Sequence, residues 1–341
     1  MNKSCMRVSG LLLGCASLSF NAFASDVSAY IVNGSSADIA NYPSFASLFY
    51  DNGSSYGNYC GATVINSQYI LTAAHCIYDD FDGMLNFYVA PGLEDESDYL
   101  NGGVDKARVE KYYYPTDYSD SDSDLYANDI AILKLETALN VGNFYALLNT
   151  TTNYTGSTLE YTGNSTTIGH GLIEGNVDGG NLLLETTLTQ ENNATCDSRM
   201  SNKQICFTSA VGGSGYKNST CNGDSGGPLF WGGQQIGITS FGPKTCGDSS
   251  APYSSAFTEV YDYQSWISQV INGQEDPKYY VVTTNGIRSL IRNEDSSVVD
   301  TDGVTTDTGG DSGGGSIGWF ALLMMPLLTL VRCRKKSVLT S

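Results

Sequence analysis

Three short motifs carry the residue types that acyl transfer by a serine requires. Such chemistry needs a nucleophilic hydroxyl, a base to take its proton, a carboxylate to orient the base, and donors for the developing oxyanion. The run Gly223-Asp224-Ser225-Gly226-Gly227-Pro228 holds a serine on a tight backbone that glycine permits, where the amides of Gly223 and Ser225 can converge on one oxygen. Only two histidines are present, His75 and His170. His75 lies in Leu71-Thr72-Ala73-Ala74-His75-Cys76, where a strand ends and a neighbouring cysteine can staple the base in place. Asp129, in Asn128-Asp129-Ile130-Ala131-Ile132-Leu133, sits at the mouth of an apolar strand, where a carboxylate can be buried and hold the imidazole tautomer. A structural turn needs no such combination, so the motifs together designate Ser225 as nucleophile, His75 as base and Asp129 as orienting carboxylate.

The elements that must position these groups read as β. From Ile31 to Gln274, short runs rich in Val, Ile, Tyr and Thr alternate with clusters of Gly, Asn, Asp and Ser, the punctuation of an all-β domain. Representative predicted strands are 63–71, 130–135 and 235–240, and the apolar spacing of 261–271 predicts a helix that closes the domain. The composition changes at Glu275. Runs 279–284 and 287–291 flank Asn285-Gly286, a strong hairpin signal, and 293–316, rich in Asp, Ser, Thr and Gly, reads as a flexible linker. A length of 341 residues accommodates one such catalytic unit with appended segments.

Residues 1–24 read as a signal peptide, with Lys3 and Arg7 in the positive region, a mostly apolar stretch, and Ala22-Phe23-Ala24 as the cleavage site. A second reading places lipid on Cys15 after Leu12-Leu13-Gly14. Between Ile31 and Gln274 there are 27 acidic and 8 basic residues, so that segment holds the whole formal charge of −19. A body this acidic repels nucleic acid and anionic lipid and suits an exported, soluble protein. It also contains six of the nine cysteines, an even set appropriate to disulfides in an oxidising compartment.

With these motifs in place, the body from Ile31-Val32-Asn33-Gly34 through Trp266 resembles the trypsin/chymotrypsin family of serine proteases. The resemblance implies two packed six-stranded β-barrels and a C-terminal helix, with His75, Asp129 and Ser225 as a catalytic triad in the cleft between the barrels. It implies the pairs Cys60–Cys76, Cys196–Cys206 and Cys221–Cys246. It assigns Ser240-Phe241-Gly242 to the substrate-aligning segment and Ser219 to the floor of the primary pocket, with Ser255 beside it. Ser219 offers no carboxylate to a basic side chain, so cleavage after Tyr, Phe, Leu or Met is expected. Gly169-His170-Gly171 stands where the family generally has Gly-Trp-Gly, which makes His170 a replaced structural aromatic rather than a second base.

The resemblance further implies that residues 25–30 form a propeptide. Cutting Tyr30–Ile31 would create an ammonium on Ile31 to pair with Asp224 and complete the pocket and oxyanion hole. Tyr30 itself suits a pocket floored by Ser219, so either this enzyme or another protease performs the cut. Catalysis needs no cofactor. Glu94-Asp95-Glu96-Ser97-Asp98 falls near a loop that holds calcium in some relatives and otherwise reads as a solvated acidic loop. Residues 317–336 comprise a fifteen-residue apolar run and the basic end Arg332-Cys333-Arg334-Lys335-Lys336. This tail resembles the Gly-Gly C-terminal sorting signal of exported bacterial proteins, implying type II secretion machinery and a rhomboid-type processing protease as partners; the alternative is a permanent membrane anchor. The expected protein is a secreted or cell-surface monomeric endopeptidase acting on protein or peptide substrates. The competing expectation is a non-catalytic binding protein on the same scaffold.

Overall fold

The computed structural model describes residues 31–306 apart from 143, 144 and 157. The expected signal peptide, propeptide and apolar tail lie outside these residues, as does the Gly/Ser-rich end of the linker. No helix among the described residues is long and apolar enough to cross a membrane.

The first half of the chain forms β1 (Ser35–Ser36), β2 (Phe45–Asp51), β3 (Tyr56–Val64), β4 (Tyr69–Thr72), β5 (Phe87–Pro91), β6 (Ala107–Tyr113) and β7 (Ala131–Leu135). The second half forms β8 (Asn164–Gly169), β9 (Leu184–Glu191), β10 (Gln204–Thr208), β11 (Pro228–Trp231), β12 (Gln234–Phe241) and β13 (Ser255–Glu259). Strands β2 to β7 close into one antiparallel barrel in the order β2-β3-β4-β7-β6-β5, because β5 pairs back to β2. Strands β8 to β13 close into another in the order β8-β9-β10-β13-β12-β11, because β11 pairs back to β8. Closure pairs most of the strand edges and gives each barrel its own apolar interior, leaving the far end of β6 beyond its pairing with β5. Leu48, Val64, Ile70 and Leu133 fill the first, while Tyr161, Leu188, Ile205, Phe207 and Phe257 fill the second. Helix α1 (Gln264–Ile271), preceded by a short 3-10 turn, lays Ile267 and Val270 against the first core.

Two expectations require correction. The predicted strand 63–71 is a hairpin: β3 ends at Val64, and β4 begins at Tyr69. Asn66 Oδ1 accepts from the amides of Gln68 and Tyr69 at 2.9 Å, an Asx turn that competes with continued strand. The expected linker 293–316 is folded over its first part. The Asn285-Gly286 hairpin forms as expected, with φ of 53° and 81° at the two turn residues, and joins β14 (Tyr279–Thr284) to β15 (Ile287–Arg292). Two short strands then follow, β16 (Val298–Val299) and β17 (Thr305–Thr306).

This four-stranded addition continues the first barrel's sheet, because Tyr279 and Tyr280 of β14 pair with Tyr112 and Lys111 of β6. Backbone pairing supplies the order that the polar composition conceals, and Leu290 and Val299 bury the few apolar side chains available. Arg288 fastens the hairpin: Nε donates to the carbonyl of Leu85 and Nη2 to that of Val109, each at 3.0 Å, while Nη1 pairs with Glu136.

Candidate active site

The expected base and its carboxylate are set by the register between β4 and β7. Thr72 lies opposite Ala131, so the chain beyond Thr72 and the chain before Ala131 emerge at the same end of the first barrel. There the 3-10 turn Ala74–Cys76 carries His75, and the disulfide Cys60–Cys76 ties that turn to β3. Asp129 Oδ2 faces His75 Nδ1 at 2.7 Å, and Oδ1 accepts from the His75 amide at 2.9 Å, which fixes both the ring and its tautomer. The imidazole is 22% exposed and the carboxylate not at all. Burial alone would raise the pKa of Asp129, but the charge and hydrogen bonds of His75, with a further bond from Ser240, carry it below the usual carboxylate range. Burial pulls the His75 pKa down, and the charge and hydrogen bond of Asp129, helped by the charge of Asp120, outweigh this and raise it.

The expected nucleophile comes from the second barrel. Ser225 sits in the turn between the disulfide Cys221–Cys246 and β11, and its carbonyl accepts from the amide of Gly61 in β3 at 2.7 Å. Gly226 adopts a φ of 76°, and a Cβ there would lie 2.1 Å from Thr72 Oγ1 and 2.6 Å from the Gly61 carbonyl oxygen. Only a bare backbone lets the serine turn dock this closely on the barrel that carries His75. Ser225 and His75 consequently line one cleft of about 320 Å³. Among the described residues no hydrogen bond joins them, as is usual before substrate tightens a catalytic site, and the amides of Gly223 and Ser225 have no internal acceptor. The arrangement can therefore deprotonate a serine hydroxyl and stabilise an oxyanion beside it.

Asp224 is buried, and its carboxylate accepts from the amides of Gly171 and Cys221 at 2.8 Å. Burial pushes its pKa up to about 7 despite those bonds. A Cβ at Gly169 would lie 2.1 Å from Asp224 Oδ1, and one at Gly171 would lie 2.5 Å from its Cγ, so the glycines flanking His170 frame this carboxylate. The His170 ring points away from the cleft, 5.7 Å from the Phe45 ring and with Nδ1 3.6 Å from Glu96 Oε1. Burial lowers its pKa to about 4, which leaves it neutral. Ile31 is also buried, against Leu184, with Val32 hydrogen-bonded to the Ser219 carbonyl at 3.1 Å. Its φ of 59° lies in the left-handed region that β-branched residues rarely adopt. Tyr30, the other side of the expected cut, lies outside the described residues.

Of the expected substrate-binding residues, Ser240, Phe241 and Gly242 line the cleft. Ser219 and Ser255 do not. Both are buried: Ser219 Oγ donates to the carbonyl of Ser254 at 2.9 Å, and Ser255 Oγ bonds the amide and hydroxyl of Thr220, each at 2.9 Å. Thr220, which bonds Ser255, does line the cleft, as do Cys221 and Cys246. Sequence reasoning also missed Tyr126, whose ring lies 6.3 Å from His75 and 6.1 Å from Phe241, and Asp120 beside it in the same cleft. Their approach to Asp129 along the chain was the available signal.

The pairs Cys60–Cys76, Cys196–Cys206 and Cys221–Cys246 are all joined, as the resemblance implies. In the Glu94–Asp98 stretch the carboxylates have separate neighbours. Glu94 meets the amide of Ile39, Asp95 the amide of Ser97, Glu96 the ring of His170, and Asp98 the side chain of Asn101.

The Trypsin family model matches residues 31–267. A fibrinolytic enzyme, isozyme C, of Lumbricus rubellus is 30% identical over 258 residues, covering 70% of this chain and 98% of its own length. Thrombin-like enzyme BjussuSP-1 of Bothrops jararacussu is 27% identical over 266 residues, covering 72% and 98%. Neuropsin, a serine protease expressed in the limbic system of mouse brain, aligns in three dimensions with a TM-score of 0.58 at 22% identity, covering 71% of this chain and 100% of its own. That last likeness is one of fold.

Proposed function

The chain belongs to the trypsin family of serine proteases, and from that premise we propose that it is a secreted or cell-surface endopeptidase that cleaves after large hydrophobic or aromatic residues. The observation that carries the activity is the His75–Asp129 pair at 2.7 Å sharing one cleft with Ser225. In the proposed reaction His75 takes the Ser225 proton as the hydroxyl attacks the peptide carbonyl, and the amides of Gly223 and Ser225 hold the oxyanion. His75 then protonates the leaving amine. Water, deprotonated by the same base, hydrolyses the acyl-enzyme. These groups supply nucleophile, base and oxyanion donors, so the reaction is written without a metal or cofactor. The Glu94–Asp98 stretch is taken as an acidic surface loop from which Glu96 turns inward to His170.

The hydrophobic preference is supported by Thr220, Cys221, Cys246 and Gly242, which line the cleft and carry no carboxylate. Export is supported by three disulfides and by the acidic body, and the tail 317–336 would serve sorting or anchorage. Activation is proposed to follow a cut at Tyr30–Ile31, supported by the docked position of Ile31 and by a buried Asp224 that no Lys or Arg pairs with among the described residues. Labelling of the processed protein by a serine-directed phosphonate, compared with Ser225→Ala, tests the activity. Adduct formation on Ser225 alone is expected, and a correctly processed protein that takes no label would instead be a binding protein on this scaffold.

A further inference from the structure

The cleft contains a charged side chain outside the Ser225–His75–Asp129 set. Asp120 lines it together with His75, Tyr126 and Phe241. The residue is exposed, its carboxylate accepts from the Tyr118 hydroxyl at 3.2 Å, and no Lys or Arg pairs with it among the described residues. A second carboxylate lies close by. Asp79, four residues after His75, has a pKa raised by burial and then by the charge of Asp120, with Arg292 offsetting only the Asp79 side. The rim beside His75 thus presents the Asp120 carboxylate with no ion-pair partner among the described residues, while Lys244 is the one cation that lines the same cleft.

Strand geometry decides which substrate residue meets this rim. A peptide extended along Ser240-Phe241-Gly242 sends successive side chains to opposite faces. The residue at the scissile bond enters the part of the cleft lined by Thr220, Cys221 and Cys246. The residue before it then points the other way, into the slot between His75, Tyr126 and Phe241, whose rings lie about this spacing apart: 6.3 Å from His75 to Tyr126 and 6.1 Å from Tyr126 to Phe241. A side chain with a methylene stem and a terminal cation suits both parts of that slot, the stem on the aromatic faces and the cation at the carboxylate.

We propose that Asp120 makes this slot select lysine or arginine at the substrate position immediately preceding the residue held in the primary pocket. The inference rests on the serine-endopeptidase reading and deepens it by naming a substrate class: sequences in which a basic residue precedes a hydrophobic one. The acidic body, with 27 acidic against 8 basic residues from Ile31 to Gln274, draws the same cationic peptides to the surface.

The test uses mature enzyme and three fluorogenic peptides identical except for Lys, Ala or Glu at that position. Wild type is expected to cleave the Lys peptide about five-fold faster than the Ala peptide in kcat/KM, as a partly exposed ion pair allows, with the Glu peptide slowest. Asp120→Asn should bring the Lys-to-Glu ratio toward unity and Asp120→Lys should invert it, a charge reversal that a purely structural loop residue would not produce. The ratio should also shrink in 1 M salt, where screening acts within about 3 Å. Wild type cleaving all three peptides at rates within two-fold, or Asp120→Lys keeping the Lys preference, overturns the inference alone. An enzyme that hydrolyses none of the three overturns the endopeptidase reading as well.

Discussion

Ser240 Oγ donates a 2.5 Å hydrogen bond to Asp129 Oδ2, the oxygen that also faces His75 Nδ1 at 2.7 Å. The strand expected to align substrate is thereby bonded to the carboxylate proposed to orient the base. Thr258 reinforces the link by donating to the Asp129 carbonyl at 2.8 Å.

Asp129→Asn should lower kcat/KM by roughly 10⁴-fold, because the amide stabilises the wrong histidine tautomer. Ser240→Ala keeps the charge and removes one of its bonds, so a milder loss of about ten-fold is expected. The pH profile separates charge from geometry. His75 must be neutral to act, and its raised pKa puts the acidic limb of wild-type kcat/KM above pH 6.5. Removing the charge in Asp129→Asn should move the residual activity's limb to lower pH.

The activation proposal predicts that Ser225→Ala precursor, incubated with a trace of mature enzyme, acquires Ile31 as its N-terminus. Tyr30→Asp should block this. Edman sequencing or intact mass reads the cut directly. Precursor left intact while a peptide substrate is consumed would assign the cut to another protease.

Uncut precursor should lose stability as pH rises. Asp224 has a folded pKa of about 7, above its unfolded value, so its contribution is full below about pH 4 and is lost progressively as the pH climbs through 7. Glu96, pushed up to about 8 first by burial and then by the charge of Asp224, acts in the same direction. In mature protein the Ile31 ammonium would return the Asp224 pKa downward and reduce the loss. Calorimetry of Ser225→Ala precursor and its cut form between pH 4 and 8 is expected to give diverging thermal midpoints, with the precursor falling more steeply; parallel curves would count against the pairing.

The sheet extension predicts that the catalytic body is not complete at Gln274. Arg288→Ala leaves the carbonyls of Leu85 and Val109 without their donors and Glu136 without its partner, a cost of about 2 kcal/mol. A midpoint lower by roughly 5 °C is expected for a body of this size. Truncation after Gln274, which exposes the β6 edge and the apolar surface under Leu290, should be worse and should lower soluble yield.

The proposed triad was readable because each member sits in a local run whose neighbours serve it: glycines around Ser225, Cys76 beside His75, apolar strand after Asp129. The two-barrel fold came through the family resemblance rather than through periodicity, and the merging of β3 and β4 into one strand shows the limit of pattern alone where Asn66 folds the chain back. Tyr126, Thr220 and Asp120 were missed for a different reason. Their positions depend on how loops from separate elements meet across the cleft, and Asp120 in particular lies in a run of Asp and Ser that reads equally well as a solvated loop. The strands after Asn293 escaped notice because main-chain pairing orders them with little apolar content beyond Val298 and Val299.

The φ of 59° at Ile31 is a torsion defined by the carbonyl carbon of residue 30. Hydrolysis at that bond removes the carbon, and the angle ceases to exist. A left-handed conformation at such a residue costs on the order of 1–3 kcal/mol, which would be discharged together with the peptide bond. Resealing would have to restore it, a bias of about 5- to 150-fold against religation in addition to that of hydrolysis itself. The docked terminus would therefore work as a ratchet, advancing with the cut and resisting return even where product stays bound.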